Sequence, residues 1–213
     1  CKAMASEGPD GYLGTYGDIG CFSLGMISLV SAGYGGIAVT DDPDLYERLL
    51  SIRDHGVHRG ADEHYATAGF NFKVSDLLMA IAIAQLEKVD TKKAHLTKIY
   101  ERYADGLNGH EFVSLIPVNV ESGQVSLLID VRTHWREDLI AHLESHEVDV
   151  SRFHQPVHRA YSGKILDPAF PNATAFSREG FVLPCGPSQP LENVDSVVDI
   201  LNERGKAYQA EVL

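Results

Sequence analysis

The sequence predicts a protein of the α/β class in which a larger domain is followed by a small α+β domain. Strand-like runs alternate with glycine turns near the start, and an unusually apolar helical pattern covers residues 77–89. After Gly109 the pattern changes to short strands separated by a helix. We therefore assign residues 1–109 to the larger domain and 110–213 to the small one.

Composition narrows the function classes. The chain has 213 residues, of which 44% are hydrophobic and 23% charged, as in soluble globular proteins. The net charge of -12 argues against a nucleic-acid surface, and no apolar run reaches the roughly 20 residues of a membrane helix. The first residues are polar and mixed, which is not typical of a signal peptide. The three cysteines lack the spacing of a metal site. We expect a cytoplasmic protein without a metal.

In the first half, two strands are predicted at 19–24 and 37–40. Pro43 starts a helix with Leu45, Leu49, Leu50 and Ile52 on one face, which ends at His55-Gly56. Ser75 is a predicted N-cap for a helix over 77–89, and a second helix follows over 90–107. Because the first of these two helices is apolar nearly all round, we expect it between layers or in a subunit interface.

In the second half, strands are predicted at 113–118, 125–131 and 148–153, with a helix over 135–147 between the last two. Residues 154–184, rich in Pro, Tyr and Phe, are predicted to form a loop. A last helix covers about 191–206.

The stretch from Gly20 to Gly36 has small residues between two strands. Small side chains let the backbone approach a ligand closely, and hydroxyl groups there suit a phosphate. An ordinary hairpin loop is the alternative.

The ordered motifs of the chain resemble the DegT/StrS-type sugar aminotransferases, which are fold-type I pyridoxal-phosphate enzymes. The matching segments are 17–23, 33–36 with 39–42, 53–56, 69–74, 80–86, 156–158, 170–171 and 183–184. The resemblance implies part of the fold-type I large domain followed by the small domain, with pyridoxal 5'-phosphate or pyridoxamine 5'-phosphate as cofactor. It also implies that the family's N-terminal half, with the acidic residue that pairs with the pyridine nitrogen, is supplied by residues outside this sequence.

By this resemblance, Ser23 binds the cofactor phosphate and Asn71 reaches the phosphate of the neighbouring subunit's cofactor. Hydroxyl and amide groups are suitable donors for a phosphate. The alternatives are a serine that caps a strand end and an ordinary turn asparagine. Lys73 stands where the family usually has arginine, and either helps to neutralise anions or is solvated.

Ser28 occupies the position of the lysine that forms the Schiff base in the family. Serine cannot form an imine and is a poor base for proton transfer. A branch of the family has histidine there and dehydrates sugars with pyridoxamine phosphate. Among the possible proton carriers His55, His58, His154 and His158, only His158 matches the family's Pro-x-His, and a structural role is the alternative for each.

The sequence therefore predicts an aminotransferase-family protein of amino-sugar or aminocyclitol biosynthesis that cannot transaminate alone. Its substrate would be a keto-sugar or cyclitol, and the chain would form a homo- or hetero-oligomer. The alternatives are a non-catalytic partner subunit that completes the site of a lysine-bearing chain or of a chain that supplies the N-terminal half, a sugar dehydratase-like enzyme that depends on pyridoxamine phosphate, and a regulatory module that kept the fold. Whether Ser28 is natural or introduced stays open, although Ile27 and Tyr34 also depart from the family pattern and favour divergence.

Overall fold

A computed structural model of the chain describes residues 1–58, 64–152, 156–160 and 167–212. Its helices and strands, in chain order, are β1 (Glu7–Gly8), β2 (Gly11–Tyr12), β3 (Gly20–Ser23), β4 (Gly36–Val39), α1 (Pro43–Arg53), β5 (Val57–His58), β6 (His64–Tyr65), α2 (Asp76–Leu86), α3 (Val89–Gly106), β7 (Ser114–Leu115), β8 (Ile129–Arg132), α4 (Arg136–Ser145), β9 (Ser151–Arg152), α5 (Val157–Ala160), α6 (Pro171–Glu179), β10 (Gly180–Leu183) and α7 (Leu191–Val212). A 3₁₀ turn, Asp167–Ala169, precedes α6.

The chain forms two compact units. Unit 1 comprises Cys1–Lys93 and Asn119–Val125, and unit 2 comprises Ala94–Val118 and Ser126–Leu213. The division into a larger and a small domain at residue 109 stays a prediction.

Unit 1 contains the antiparallel pair β3–β4, in which Gly20 faces Val39 and Ser23 faces Gly36. α1 begins where predicted because the Asp42 carboxylate accepts hydrogen bonds from the first-turn amides, and Pro43 fits the first turn. The predicted apolar face of α1 is only half-buried. A small core is formed by Leu24, Val30, Ala32 and Ala82, with Met4, Leu78, Met79 and Val89 packed against it.

α2 has the predicted N-cap, since the Ser75 hydroxyl accepts a hydrogen bond from the Leu78 amide at 3.4 Å. Its burial differs from the first predicted alternative. Ala82 is the only buried residue of this helix, whereas Leu77 is 74% exposed and Ile83 is 60% exposed. The prediction that α2 is buried between layers of this chain is therefore wrong. Its location in a subunit interface stays a prediction.

Unit 2 is built on a four-stranded antiparallel sheet with the order β7-β8-β10-β9. Its buried side chains come from the sheet, α3, α4 and α7, and include Leu96, Ile99, Tyr103, Ile129, Val131, Leu139, Ile140, Leu143, Phe181, Leu183, Val194, Val197 and Leu201. The prediction of a loop over 154–184 is wrong for the described part, because α5, α6 and β10 lie there. β10 is a central strand, and all four of its residues are buried. Phe153, predicted to end a strand, lies outside the described residues.

Candidate functional site

Ser23 is the last residue of β3 and lies opposite Gly36 of β4. Its side chain is half-buried, and its hydroxyl oxygen accepts a hydrogen bond from the Gly25 amide at 3.1 Å. A hydroxyl that accepts in this way keeps its own proton for donation. Ser23 can therefore donate to a phosphate oxygen without losing its contact to the loop.

Residues 24–35 join β3 to β4 and are called the Ser28 loop. The Leu24 amide donates to the Gly35 carbonyl at 3.0 Å, and the Ala32 amide donates to the Leu24 carbonyl at 2.9 Å. The Ser28 amide donates to the Gly25 carbonyl at 3.0 Å. These hydrogen bonds fold the loop back on itself, with Ser28 half-buried in its turn.

Two large apolar side chains of the Ser28 loop point away from the core, since Met26 is 79% exposed and Ile27 is 73% exposed. Glycine is required where the loop returns to β4. Gly35 has a φ of 118°, and a Cβ atom on Gly36 would lie 2.9 Å from the Phe22 carbonyl oxygen. The sequence stretch singled out for close backbone approach therefore does form a tight backbone turn.

Asn71 is exposed and is held by its backbone rather than by its side chain. It forms an isolated antiparallel bridge with Asp54, next to the end of α1. The Phe70 amide donates to the Ile52 carbonyl at 2.9 Å, and the Phe72 amide donates to the Arg53 carbonyl at 3.0 Å. The exposed amide group is thus presented on a fixed segment, where a ligand can reach it.

The Ser28 loop and the segment that follows Asn71 meet in unit 1. A Cβ atom on Gly35 would lie 3.7 Å from a methyl group of Val74, which is an ordinary packing distance. Lys73, which lies between Asn71 and Val74 in the chain, forms an ion pair with the Asp54 carboxylate at 2.6 Å. The structure therefore brings the segments that carry Ser23, Ser28 and Asn71 together in one unit.

His158 lies on α5 of unit 2, and only 5% of its side chain is exposed. Its Nε2 atom is 2.9 Å from the Asp167 carboxylate, and its ring stacks on Phe170 with the centroids 4.9 Å apart. The Arg159 guanidinium, followed by His158, holds the pKa of Asp167 well below its usual range. Asp167 is a member of this group that the sequence interpretation missed, because it lies nine positions from His158 in the chain.

The other predicted proton carriers show no enclosing site. His55 is exposed in a turn, and His58 is exposed on β5, with its ring 5.7 Å from that of His64 on β6. His154 lies outside the described residues. Within the described ranges, no three His, Cys, Asp or Glu side chains are grouped closely enough to hold a metal ion. Over the same ranges, none of the helices is long and apolar enough to cross a membrane.

Comparison with known proteins places this geometry in context. The chain is 29% identical to GDP-perosamine synthase of Escherichia coli O157:H7 in an alignment of 215 positions, gaps included, that covers 95% of this chain and 56% of that protein. It resembles the structure of S. venezuelae DesV with a TM-score of 0.82 and 26% identity, over 92% of this chain and 53% of that one. The E. coli GDP-4-keto-6-deoxy-D-mannose-3-dehydratase with bound hydrated PLP shares the fold, with a TM-score of 0.82 and 20% identity over 94% and 58% of the two chains.

The chain spans about half the length of the curated relatives it matches. Its mixed helix-and-sheet fold is that of fold-type I sugar aminotransferases, so the predicted fold class is confirmed. The model of the DegT/DnrJ/EryC1/StrS aminotransferase family matches residues 1–202. The chain belongs to the DegT/DnrJ/EryC1/StrS aminotransferase family.

Proposed function

We propose that this chain binds pyridoxal or pyridoxamine phosphate in the biosynthesis of an amino sugar or aminocyclitol, and that it cannot transaminate alone. The observation that carries the proposal is the Ser23 hairpin, whose hydroxyl is fixed at a tight glycine turn. The relatives support the substrate class, since they include GDP-perosamine synthase and an aminotrideoxyglucose transaminase. A nucleotide-linked keto-sugar is therefore the proposed substrate.

The residues of unit 1 fit the phosphate end of the cofactor. Ser23 would donate its hydroxyl proton to one phosphate oxygen, and the exposed amide of Asn71 would donate to another. The resemblance to the family implies that Asn71 contacts the cofactor phosphate of a neighbouring subunit. The proposed site is therefore shared between two subunits. The wall around the pyridine ring would come from residues outside this sequence.

When bound, pyridoxal phosphate supplies an electron sink that makes the α-proton of an amino donor labile. The chain's own residues supply only part of what that chemistry needs. The Ser28 hydroxyl is neutral at physiological pH and cannot form an imine, and residues 24–35 contain no lysine. His158, in unit 2, directs Nε2 at the Asp167 carboxylate, so Nε2–H donates there and Nδ1 is the ring nitrogen left to accept a proton. In this proposal the site binds and orients the cofactor but lacks the lysine nucleophile that would form an imine with it.

Cofactor binding tests the proposal. We expect Ser23→Ala to weaken the binding of pyridoxal phosphate by about 10-fold or more, because a hydrogen bond to a charged group contributes about 1.5–3 kcal/mol. Ser31→Ala is the matched control, since the Ser31 hydroxyl accepts a bond from the Gly33 amide inside the same loop at 3.4 Å. The measurement is a fluorescence titration of the chain, alone and with the residues that complete the family fold. Absence of binding in both settings would contradict the proposal.

Restoring the lysine tests the proposed inability of the chain to transaminate. Borohydride reduction in the presence of pyridoxal phosphate should leave residues 20–36 of the chain with Ser28 unmodified, because they contain no lysine. The Ser28→Lys variant, in the completed site, should gain a reduced cofactor adduct at that position in peptide mass mapping, together with measurable amino transfer. An adduct without amino transfer would indicate that the divergence goes beyond position 28.

A non-catalytic partner subunit is the second candidate, and the surface of α2 favours it. Large apolar side chains of this helix are exposed, namely Leu77, Ile81, Ile83 and Leu86. An exposed apolar surface of this kind is typical of a site that binds another protein. We propose that a lysine-bearing family member binds this surface, and that Asn71 donates a hydrogen bond to the cofactor of that partner.

Purification from the native host distinguishes this candidate. The chain should co-purify with a family member identified by mass spectrometry. Ile83→Asp on the apolar surface should abolish the association, whereas Lys88→Asp, at an exposed position after α2, should retain it. A natural chain that always runs alone would exclude the partner role.

A further inference from the structure

The buried side of the Ser28 loop presents a backbone carbonyl to a lysine from α3. Leu29 and Val30 are 3% and 2% exposed, so the loop is anchored to the core directly after Ser28. The Leu29 carbonyl oxygen accepts a hydrogen bond from the Lys92 ammonium group at 2.9 Å. The contact joins residues that are 63 positions apart in the chain.

Lys92 is held on its other side by Gln85. The same ammonium donates to the Gln85 side-chain oxygen at 2.6 Å, and Gln85 lies in the last turn of α2. Lys92 itself lies in the first turn of α3, where its amide donates to the Lys88 carbonyl at 3.0 Å. One cation therefore ties the end of α2, the start of α3 and the Ser28 loop together.

The surroundings suit a structural cation rather than a solvated one. Lys92 is half-buried, and burial, followed by the charge of Lys88, lowers the pKa of its ammonium. A desolvated ammonium forms strong hydrogen bonds to oxygen acceptors. Without it, the buried Leu29 carbonyl would lose the partner that the structure gives it.

We propose that Lys92 is a positioning residue that fixes the Ser28 loop, and with it the phosphate-binding turn at Ser23, through the Leu29 carbonyl. The functional consequence rests on the proposed cofactor role of this loop. The tether itself does not, because it is made of contacts within unit 1. Residue 28 is adjacent in the chain to the carbonyl that Lys92 holds, so the tether restricts the position where the family has its lysine.

Hydrogen–deuterium exchange of the 213-residue chain without cofactor tests the tether. Lys92→Met should raise the exchange rate of the amides in residues 24–35 by about 10-fold or more, while the amides of α1 exchange as before. Lys88→Met is the matched control, since it removes a neighbouring exposed cation and should leave the loop unchanged. Lys92→Arg should restore most of the protection, because it keeps a charged donor at that position. If Lys92→Met fails to fold, Lys92→Gln, whose amide is too short to reach Leu29, replaces it.

Equal exchange in Lys92→Met and Lys88→Met would overturn the proposal, and so would an equal rise in α1, which would indicate general destabilisation. A cofactor titration provides the second readout, with an expected loss of about 10-fold in affinity for pyridoxal phosphate in Lys92→Met. A chain that never binds the cofactor but shows the localised rise in exchange would refute the proposed function and support the tether. The two failures are thereby distinguishable.

Discussion

The Lys73 ammonium donates a hydrogen bond to the Asp54 carboxylate at 2.6 Å, across the segment that presents Asn71. The side chain of Asp54 is 13% exposed and that of Lys73 is 46% exposed. The backbone of Asp54 also bridges to Asn71. The ion pair and the bridge together attach the Asn71 segment to the end of α1. Lys73 therefore helps to hold the Asn71 segment in place and is not simply solvated.

Replacing Lys73 tests this attachment. We expect Lys73→Met to lower the free energy of unfolding by about 0.5–1 kcal/mol, the range of a partly exposed ion pair. Lys73→Arg should keep the stability, because its guanidinium can bind the same carboxylate. Urea denaturation measures both, with Lys98→Met, at an exposed position of α3, as the control. A Lys73→Met variant as stable as the Lys98→Met variant would show that the pair contributes nothing.

Gly56 and Gly69 meet in the turn before the Asn71 segment, and neither position has room for a side chain. Gly56 has a φ of 80°, and a Cβ atom there would lie 1.9 Å from the Thr67 carbonyl oxygen. We expect Gly56→Ala to cost about 2–5 kcal/mol, from the left-handed backbone together with the forced backbone shift. Gly33→Ala is the control, since its φ is 88° with nothing within 4 Å of the added atom.

The control should cost only about 1–2 kcal/mol, the penalty of the backbone conformation alone. Chemical denaturation of both variants gives the comparison. Equal losses would mean that the segment moves to admit the methyl group, and Asn71 would then not be rigidly held.

The sequence predicted where α1 and α2 begin, because the starts of these helices carry local signals. The Asp42 and Ser75 caps, with Pro43 in the first turn, mark where α1 and α2 begin. The ordered motifs likewise predicted the family, whereas the cofactor roles of Ser23 and Asn71 stay predictions. Such signals depend on neighbouring residues, so a sequence displays them directly.

Relationships between distant residues could not be predicted in this way. The hydrogen bond from Lys92 to Leu29 joins α3 to the Ser28 loop, and both α1 and α2 lie between these two elements in the chain. No local sequence pattern indicates this hydrogen bond. The strand β10 was missed for a different reason. Its apolar run, Phe181 to Leu183, is only three residues long and lies in a region rich in turn formers, although Gly180 and Pro184 at its ends are typical strand boundaries.

The central position of β10 predicts that its residues dominate the stability of unit 2. Phe181 is fully buried, and Phe181→Ala should lower the free energy of unfolding by about 3–5 kcal/mol, through lost burial and an unfilled cavity. Phe170→Ala is the matched control, since Phe170 is 43% exposed and should cost less than about 1.5 kcal/mol. Circular dichroism during urea denaturation measures the difference. A mild effect at Phe181 would contradict a central role for the strand.

The contact between Tyr208 of α7 and Asp138 of α4 predicts a loss of stability at alkaline pH. The Tyr208 hydroxyl donates to the Asp138 carboxylate, which also binds the Arg204 guanidinium at 2.8 Å. Burial, followed by this hydrogen bond, raises the pKa of Tyr208 from 10.0 to about 12. A raised pKa in the folded state means that the stabilisation is complete below pH 10.0 and is lost as the pH rises towards about 12.

Tyr208→Phe removes the titrating group and keeps the ring, which stacks on Trp135 with the centroids 5.4 Å apart. At pH 8 the variant should be about 1–2 kcal/mol less stable than the natural chain, because it lacks a hydrogen bond to a charged acceptor. At pH 11 the difference should shrink, since the natural chain is then losing that contribution. Denaturation at both pH values isolates Tyr208 from Tyr103, whose pKa is also raised by burial but is common to both chains. A difference that stays constant between the two pH values would show that the hydroxyl does not titrate with unfolding.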